Sequence, residues 1–133
     1  MTEIFADTFY FIAILSASDE AYQRTRAITA NQQAKLITTA WVLTELANTF
    51  CRHDVRSGFV DTLRALRSDP SVVIVGPDPR WFEAGLELYS SRPDKDWSLR
   101  DCISFAVMHD RGIAEALTGD HHFEQAGFRA ILK

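Results

Sequence analysis

Short apolar runs alternate along the chain with longer segments whose apolar residues recur at helical spacing. The apolar runs predict five strands, at residues 3–7, 35–38, 71–77, 114–118 and 128–132. The clearest of these is SVVIVGP at 71–77, where four consecutive Val and Ile residues stand between Pro70 and Gly76. Such a run is typical of a strand that is buried on both faces.

Segments with helical character lie between these runs. Seven helices are predicted, at residues 8–15, 19–33, 39–52, 57–68, 79–91, 98–110 and 121–125. Asp78 is the predicted N-cap before a proline at the first helical position, Ser57 is another predicted cap, and Gly112 ends the helix that begins at Ser98. Because strands alternate with helices and no hairpin signal joins two strands, the pattern predicts one α/β domain over residues 1–133. Its central, mainly parallel sheet would lie between two layers of helices.

Composition agrees with a globular domain of this kind. The 133 residues are 47% hydrophobic and 24% charged, which excludes a disordered tail, a collagen-like fibre and a low-complexity linker. The longest apolar stretch, TFYFIAILSAS after Asp7, is too short to span a bilayer, and the acidic start MTEIFAD lacks the features of a secretory signal. Cys51 and Cys102 are interpreted as free thiols of a reducing compartment. These features predict a cytoplasmic protein.

The net charge restricts the kind of nucleic-acid binding that is possible. Lys and Arg total 14 against 18 Asp and Glu, a net charge of −4, which argues against avid nonspecific binding to phosphates. A nuclease remains possible, because carboxylates that hold a metal ion also count as negative. A local excess of arginines is interpreted as a solvated helix face; it comprises Arg52, Arg56, Arg64 and Arg67 against Asp54 and Asp61.

Four acidic residues occupy places where a parallel sheet binds ligands, beyond the carboxyl ends of its strands. Asp7 ends the first predicted strand, and Asp120 follows the fourth after one glycine. Glu45 lies in the helix after the second strand, and Asp101 lies in the first turn of a helix that is apolar almost all round. Taken alone, these acids have structural explanations. Ser98 and Asp101 have the spacing of a capping box, and Asp7 could cap the next helix. Glu45 lies opposite the apolar stripe of its helix, where an ordinary surface glutamate would lie.

As a group, the four acids predict different chemistry. Carboxylates that lie close together repel one another, which raises their pKa values or requires cations. A ligand set of oxygen atoms favours the hard cations Mg²⁺ or Mn²⁺, and such ions support phosphodiester hydrolysis. Spacing alone does not show that the four acids meet.

The chain resembles the PIN-domain family, in particular the VapC-like ribonuclease toxins of type II toxin–antitoxin pairs. The resemblance extends over nearly the whole chain and depends on four segments: IFADTFYFIAIL with Asp7, TTAWVLTELAN with Glu45, DWSLRDCISFAVM with Asp101 and LTGDHHFEQAGF with Asp120. It implies that these four acids bind metal and cleave single-stranded RNA. It also implies supporting roles for Thr8, which follows the first acid, and Thr118, whose hydroxyl would order the pocket. Asp96 matches a frequent acidic position before the tryptophan.

The resemblance further implies a homodimer and an antitoxin protein that covers the pocket. The aromatic residues Phe9, Tyr10 and Phe11 could contact that antitoxin, although packing in the core is the expected role of Phe9 and Phe11. The function predicted is therefore that of a metal-dependent endoribonuclease acting on single-stranded regions of RNA. The alternative is a catalytically silent PIN-like module that binds and regulates a partner.

Other kinds of active site fit the sequence less well. A haloacid-dehalogenase-like phosphatase with Asp7 as nucleophile requires a second acid where this chain has Phe9, and an RNase H-like fold requires early hairpins that are not predicted. The adjacent His121 and His122 do not have the spacing of a structural zinc site. Cys102 is interpreted as a buried thiol, and packing is the expected role of the three tryptophans, Trp41, Trp81 and Trp97.

Overall fold

The computed structural model describes residues 2–16 and 34–133. Its elements, in chain order, are β1 (Glu3–Ala6), α1 (Thr8–Ser16), β2 (Lys35–Thr39), α2 (Ala40–Thr49), α3 (Arg56–Ser68), β3 (Val72–Val75), α4 (Pro79–Ser91), α5 (Leu99–Arg111), β4 (Glu115–Leu117), α6 (His121–Gln125) and β5 (Arg129–Ala130). The helix predicted at 19–33 lies outside the described residues. None of the helices in the described ranges combines the length and apolar character that crossing a bilayer requires.

The five strands form one sheet in the order β3-β2-β1-β4-β5. All four neighbouring pairs are parallel, as the alternation of strands and helices predicts. β1 pairs with β2 on one side and with β4 on the other, so the order of the strands reverses at the boundary between β1 and β4. In open parallel sheets, a crevice for ligands forms at such a boundary, beyond the carboxyl ends of the strands. Asp7 and Thr118 stand directly after the two strands concerned.

Helix α5 is the central helix of the core. Most of its side chains are buried, including Cys102, Ile103 and Phe105, as its apolar character on all sides predicts. The ring of Phe105 makes edge-on contacts with Trp97 at 5.1 Å and Phe123 at 5.0 Å between centroids. These contacts pack α5 against Trp97, which precedes it, and against the short helix α6, which positions the charged residues in its first turn.

Local caps set several helix boundaries as predicted. The Asp78 carboxylate accepts a hydrogen bond of 2.9 Å from the Arg80 amide, and α4 begins at Pro79. Gly112 adopts a left-handed conformation with φ of 68°, which ends α5. Thr39 is the N-cap of α2 and accepts a hydrogen bond of 3.1 Å from the Val42 amide.

Three local predictions are wrong in detail. Helix α3 begins at Arg56 after Val55 without a side-chain cap, so Ser57 is not the N-cap. β3 is half-buried at all four residues because it is the edge strand of the described sheet, with β2 as its neighbour. Its Val and Ile residues reflect a preference for strand conformation, which does not require burial on both faces. β5 has two residues, shorter than the predicted run at 128–132.

Candidate active site

Asp7 lies at the bottom of a crevice where β1 and β4 end. Its side chain is 3% exposed, and its Oδ2 atom accepts a hydrogen bond of 3.0 Å from the hydroxyl of Thr118. Thr118 is itself fully buried at the end of β4. The crevice predicted from the strand order therefore contains an acid and a hydroxyl group from adjacent strands, joined by a direct contact.

Asp101 reaches the same crevice from the first turn of α5. Its backbone amide donates a hydrogen bond of 3.0 Å to the Ser98 hydroxyl, and the Ser98 amide donates one of 3.1 Å to Asp101 Oδ2. The capping box predicted from the sequence is thus present. It does not exclude a role in the crevice, because Asp101 Oδ1 remains free of the box and lies 2.8 Å from Nη2 of Arg100.

Arg100 is the residue that brings the acids together, and the sequence analysis did not identify it. Its Nη1, Nε and Nη2 atoms form ion pairs with Asp7, Glu45 and Asp101, respectively. The side chain is 17% exposed, so the guanidinium is largely withdrawn from water. A signal was present, because a basic residue in the first turn of an almost wholly apolar helix must be paired with acids or exposed.

Glu45 is the most exposed of the four acids that are predicted to bind metal. It lies on α2 with 45% of its side chain exposed, and its contact with Arg100 places it at the rim of the crevice. The expectation of a surface glutamate opposite the apolar stripe of α2 is therefore compatible with its place at the site.

Asp120 forms the opposite side of the crevice. Its amide donates a hydrogen bond of 3.1 Å to the Thr118 hydroxyl, and its carboxylate caps α6 by accepting one of 2.9 Å from the His122 amide. The Nδ1 atom of His122 lies 3.4 Å from carboxylate oxygens of both Asp120 and Asp101. Asp120, His121 and His122 each offer a ligand atom, and these atoms lie within 4.8 Å of one another.

Electrostatic interactions in the crevice oppose one another. Burial raises the pKa of Asp7, although the nearby Arg100 charge and the hydrogen bond from Thr118 act in the opposite direction. Burial lowers the pKa of Arg100, but the charges of Asp7, Asp101 and Glu45 outweigh it and the net shift is upward. The guanidinium is therefore held in its charged form by the acids around it.

The crevice opens as a cleft of about 340 Å³. Asp7, Glu45, Arg100 and Asp120 line it together with Thr8, Phe9, Ile12 and Gly119. Phe9 is 46% exposed, so its predicted place in the core is wrong, whereas Tyr10 and Phe11 are buried. The ring of Phe9 lies against Gly119 at the cleft: a Cβ atom on Gly119 would be 2.7 Å from the Phe9 Cζ atom.

The remaining predicted residues differ in their relation to the cleft. Thr8 lines it, and its buried hydroxyl has no hydrogen-bond partner among the described residues. Asp96 is exposed and lines a different cleft with Lys95 and Trp97; within the described residues it makes no hydrogen bond or ion pair with the four acids. The structure therefore brings Thr8 and Thr118 to the acids and leaves Asp96 apart.

Other side chains have structural roles. Cys102 is buried, and burial raises the pKa of its thiol to about 11, which disfavours the thiolate that a cysteine nucleophile requires. Trp81 and Trp97 are buried, and Trp97 donates a hydrogen bond of 3.1 Å to Gln125. The arginines between residues 52 and 67 are exposed on the surface, as predicted for a solvated face.

The donor set of the crevice fits a hard divalent cation. Asp7, Glu45, Asp101 and Asp120 provide carboxylate oxygens from four separate elements or their ends. The Oδ1 atom of Asp101 is buried and outside the capping box, and it is ion-paired with Arg100. Oxygen donors grouped in this way suit Mg²⁺ or Mn²⁺.

Comparisons with known proteins identify the family of this chain. The sequence matches the PIN domain family over residues 4–129. The 23S rRNA-specific endonuclease VapC20 of Mycobacterium tuberculosis, in two strains, is 30% identical over 128 residues, spanning 94% of this chain and 95% of the relative. The crystal structure of the M. tuberculosis VapC20, described as a sarcin–ricin loop cleaving toxin, superposes with a TM-score of 0.79 at 26% identity and covers 94% of this chain and 95% of that one. The predicted fold class is confirmed, and this chain belongs to the PIN domain family.

Proposed function

We propose that the protein is a metal-dependent endoribonuclease that cleaves single-stranded regions of RNA. The observation that carries this proposal is the convergence of Asp7, Glu45 and Asp101 on one guanidinium at the boundary of β1 and β4. Carboxylates gathered from three elements are destabilising without a cation. Arg100 supplies one positive charge against these three carboxylates, so the crevice keeps a negative excess that a divalent cation would neutralise.

Asp7, Glu45, Asp101 and Asp120 would hold the metal ion. When bound, a divalent ion lowers the pKa of a water molecule and neutralises charge on the phosphodiester. The two buried acids and the two more exposed acids would act differently. Asp7 and Asp101 are each 2% exposed and are held by Thr118 and Ser98, which makes them fixed ligands.

Glu45 and Asp120 have more exposed side chains, at 45% and 28%, and both face the open cleft. Either carboxylate could accept a hydrogen bond from the attacking water and orient it toward phosphorus. The leaving 3′-oxygen would take up a proton from solvent through the same opening.

We propose 23S rRNA as the first substrate to test. The relatives at 30% identity are 23S rRNA-specific endonucleases, and the solved structure is that of a toxin cleaving the sarcin–ricin loop. Ribosomal RNA also lies in the cytoplasm, which is the location that the sequence predicts for this protein.

The decisive experiment is cleavage of ribosomes and of purified 23S rRNA with Mg²⁺, Mn²⁺ or EDTA, mapped by primer extension. We expect a small number of cuts that require metal and that fall at least about 100-fold in Asp101→Asn and Glu45→Gln. Glu45→Gln guards against misfolding, because that side chain is half-exposed. Asp110→Asn, at the exposed end of the same helix α5, is the matched control and should cleave like the parent.

Two outcomes would contradict the proposal. Equal cleavage by Asp101→Asn and the parent would remove the acids from the mechanism. Absence of cleavage in every metal, together with absence of Mn²⁺ binding in calorimetry, would favour the alternative of a catalytically silent binding module.

We further propose that the protein acts as a toxin, that an antitoxin protein restrains it, and that it forms a homodimer. The relative of known structure is a toxin, which supports the first two points, and the exposed ring of Phe9 beside the cleft is a surface that a covering partner would bury. Light scattering should give about twice the chain mass of 15.0 kDa for a homodimer. Induced expression should arrest growth for the parent but not for Asp101→Asn.

A further inference from the structure

We propose that Arg100 takes the place of a second metal ion, so that the pocket binds one divalent ion per chain. This inference rests on the proposed metal site and concerns how many cations that site accepts. It assigns to Arg100 a positioning role in a pocket that the acids alone would leave strongly negative.

The contacts of Arg100 resemble those of a bridging cation. Three different nitrogen atoms of the guanidinium form ion pairs with three carboxylates, which come from the end of β1, from α2 and from α5 itself. A planar guanidinium presents its donors in a rigid fork and cannot lose its proton. It therefore holds Asp7, Glu45 and Asp101 at fixed separations, as a metal ion bridging the same groups would.

The charges of the pocket support a single metal ion. Asp7, Glu45, Asp101 and Asp120 carry four negative charges when ionised. Arg100 and one divalent ion together supply three positive charges, which leaves a small negative excess. A second divalent ion would make the pocket net positive, whereas two ions would neutralise it if Arg100 were absent. Repulsion from the guanidinium thus disfavours the second ion.

The position of Arg100 leaves a route for the first ion. Among the ion pairs of the described residues, Arg100 contacts Asp7, Glu45 and Asp101 but not Asp120. Glu45 and Asp120 are also the two acids whose side chains are substantially exposed at the cleft. An entering ion therefore meets these carboxylates first, while Arg100 stays beside the two buried acids.

The test is the stoichiometry of Mn²⁺ binding to metal-free protein, measured by calorimetry and by the electron paramagnetic resonance of free Mn²⁺. We expect one ion per chain for the parent and two for Arg100→Met. The first ion should bind Arg100→Met at least about tenfold more tightly than it binds the parent, because the positive charge of Arg100 is removed. Arg100→Lys keeps the charge and should still bind one. Arg111→Met is the matched control: Arg111 lies on the same helix and forms a two-pronged pair with Glu3, far along the helix from the pocket.

A second measurement guards against variants that fold poorly. The melting temperature in EDTA and in Mn²⁺ should show a larger Mn²⁺-dependent rise for Arg100→Met than for the parent or Arg111→Met, with circular dichroism confirming the fold. If Arg100→Met is unfolded in both conditions, Arg100→Gln replaces it, and the stoichiometry of the parent remains a test by itself.

The outcomes separate this inference from the proposed function. Two ions bound to the parent, or one ion of unchanged affinity bound to both Arg100→Met and Arg100→Gln, would overturn the role of Arg100 and leave the metal-dependent nuclease intact. Absence of Mn²⁺ binding in the parent and in both variants would overturn the metal site itself and both proposals with it.

Discussion

The Thr118 hydroxyl donates a hydrogen bond of 3.0 Å to Oδ2 of Asp7, across 111 residues of sequence. The same hydroxyl oxygen accepts a hydrogen bond of 3.1 Å from the amide of Asp120. One buried side chain at the end of β4 thus connects two acids of the candidate active site. This arrangement explains why a hydroxyl group is needed where the strands β1 and β4 end together.

Replacing Thr118 by valine should affect both stability and activity. Thr118→Val leaves Asp7 Oδ2 and the Asp120 amide without their partner, which should lower the free energy of unfolding by about 1–3 kcal/mol. RNA cleavage should fall as well, because both acids lose a constraint. Urea denaturation in EDTA and the cleavage assay measure the two effects.

The control for this variant is Thr38→Val. The buried Thr38 hydroxyl donates a hydrogen bond of 2.9 Å to the backbone oxygen of Ala6, one residue before Asp7. Its loss should reduce stability similarly and leave cleavage nearly unchanged, and Thr118→Ser should restore both properties. Equal activity in Thr118→Val and Thr38→Val would show that Thr118 is only a core residue.

Removal of the capping box should separate stability from metal binding. Ser98→Ala and Asp78→Ala each remove the N-cap of one helix, so each should cost about 1 kcal/mol of unfolding free energy. Only Ser98→Ala loosens Asp101, and it alone should weaken Mn²⁺ binding in calorimetry. Weakening of similar size in Asp78→Ala would trace the effect to general destabilisation.

The packing of α4 against α5 depends on Gly85. A Cβ atom at this position would lie 2.3 Å from Ile103 Cγ1 and 2.9 Å from the Ile103 amide nitrogen. Gly85→Ala should therefore lower the unfolding free energy by about 1–3 kcal/mol, despite the higher helix propensity of alanine.

Gly58 provides the contrast, since it lies in α3 and a Cβ atom there would meet no atom within 4 Å beyond its chain neighbours and the backbone of its own helix. Gly58→Ala should raise the unfolding free energy by about 0.5–1 kcal/mol. Chemical denaturation of both variants measures the difference, and a neutral Gly85→Ala would mean that the two helices can move apart at little cost.

The ion pair between Glu3 and Arg111 should give a defined dependence of stability on pH. The hydrogen bond from Arg111 lowers the pKa of Glu3 below its ordinary value of 4.5, so the folded chain holds this proton less tightly than the unfolded chain. The stabilisation is complete above the ordinary pKa and is lost as the pH falls through the lower, folded-state pKa.

Glu3→Gln should therefore be less stable than the parent at pH 7, by up to about 1 kcal/mol, and the difference should vanish in strong acid. Thermal unfolding between about pH 2 and about pH 7, a range that includes the ordinary pKa values of carboxyl groups, measures this difference. Glu83→Gln, at an exposed position of α4 without an ion pair among the described residues, should track the parent throughout. A Glu3→Gln deficit that persists in acid would mean that packing, and not charge, is responsible.

Local patterns in the sequence determined most of the elements of this protein. The Asp78 cap, the left-handed Gly112 and the capping box of Ser98 and Asp101 act within a few residues, and the structure shows each of them as predicted. The alternation of strands and helices likewise restricted the sheet to a parallel one. These features follow from backbone geometry and from side chains that meet their partners within one or two turns.

Tertiary structure alone decided which side chains share the crevice. Arg100 and Asp7 are 93 residues apart, and neither Arg100 nor its three acidic partners could be grouped from spacing. The order β3-β2-β1-β4-β5 places β1 beside β4 and β3 at an edge, so it decided both the site and the half-burial of a strongly apolar strand. The contact between Phe9 and Gly119 at the cleft likewise joins residues that are distant in the sequence. Pairings of this kind depend on how packed layers of the whole domain fit together, which no short stretch of sequence specifies.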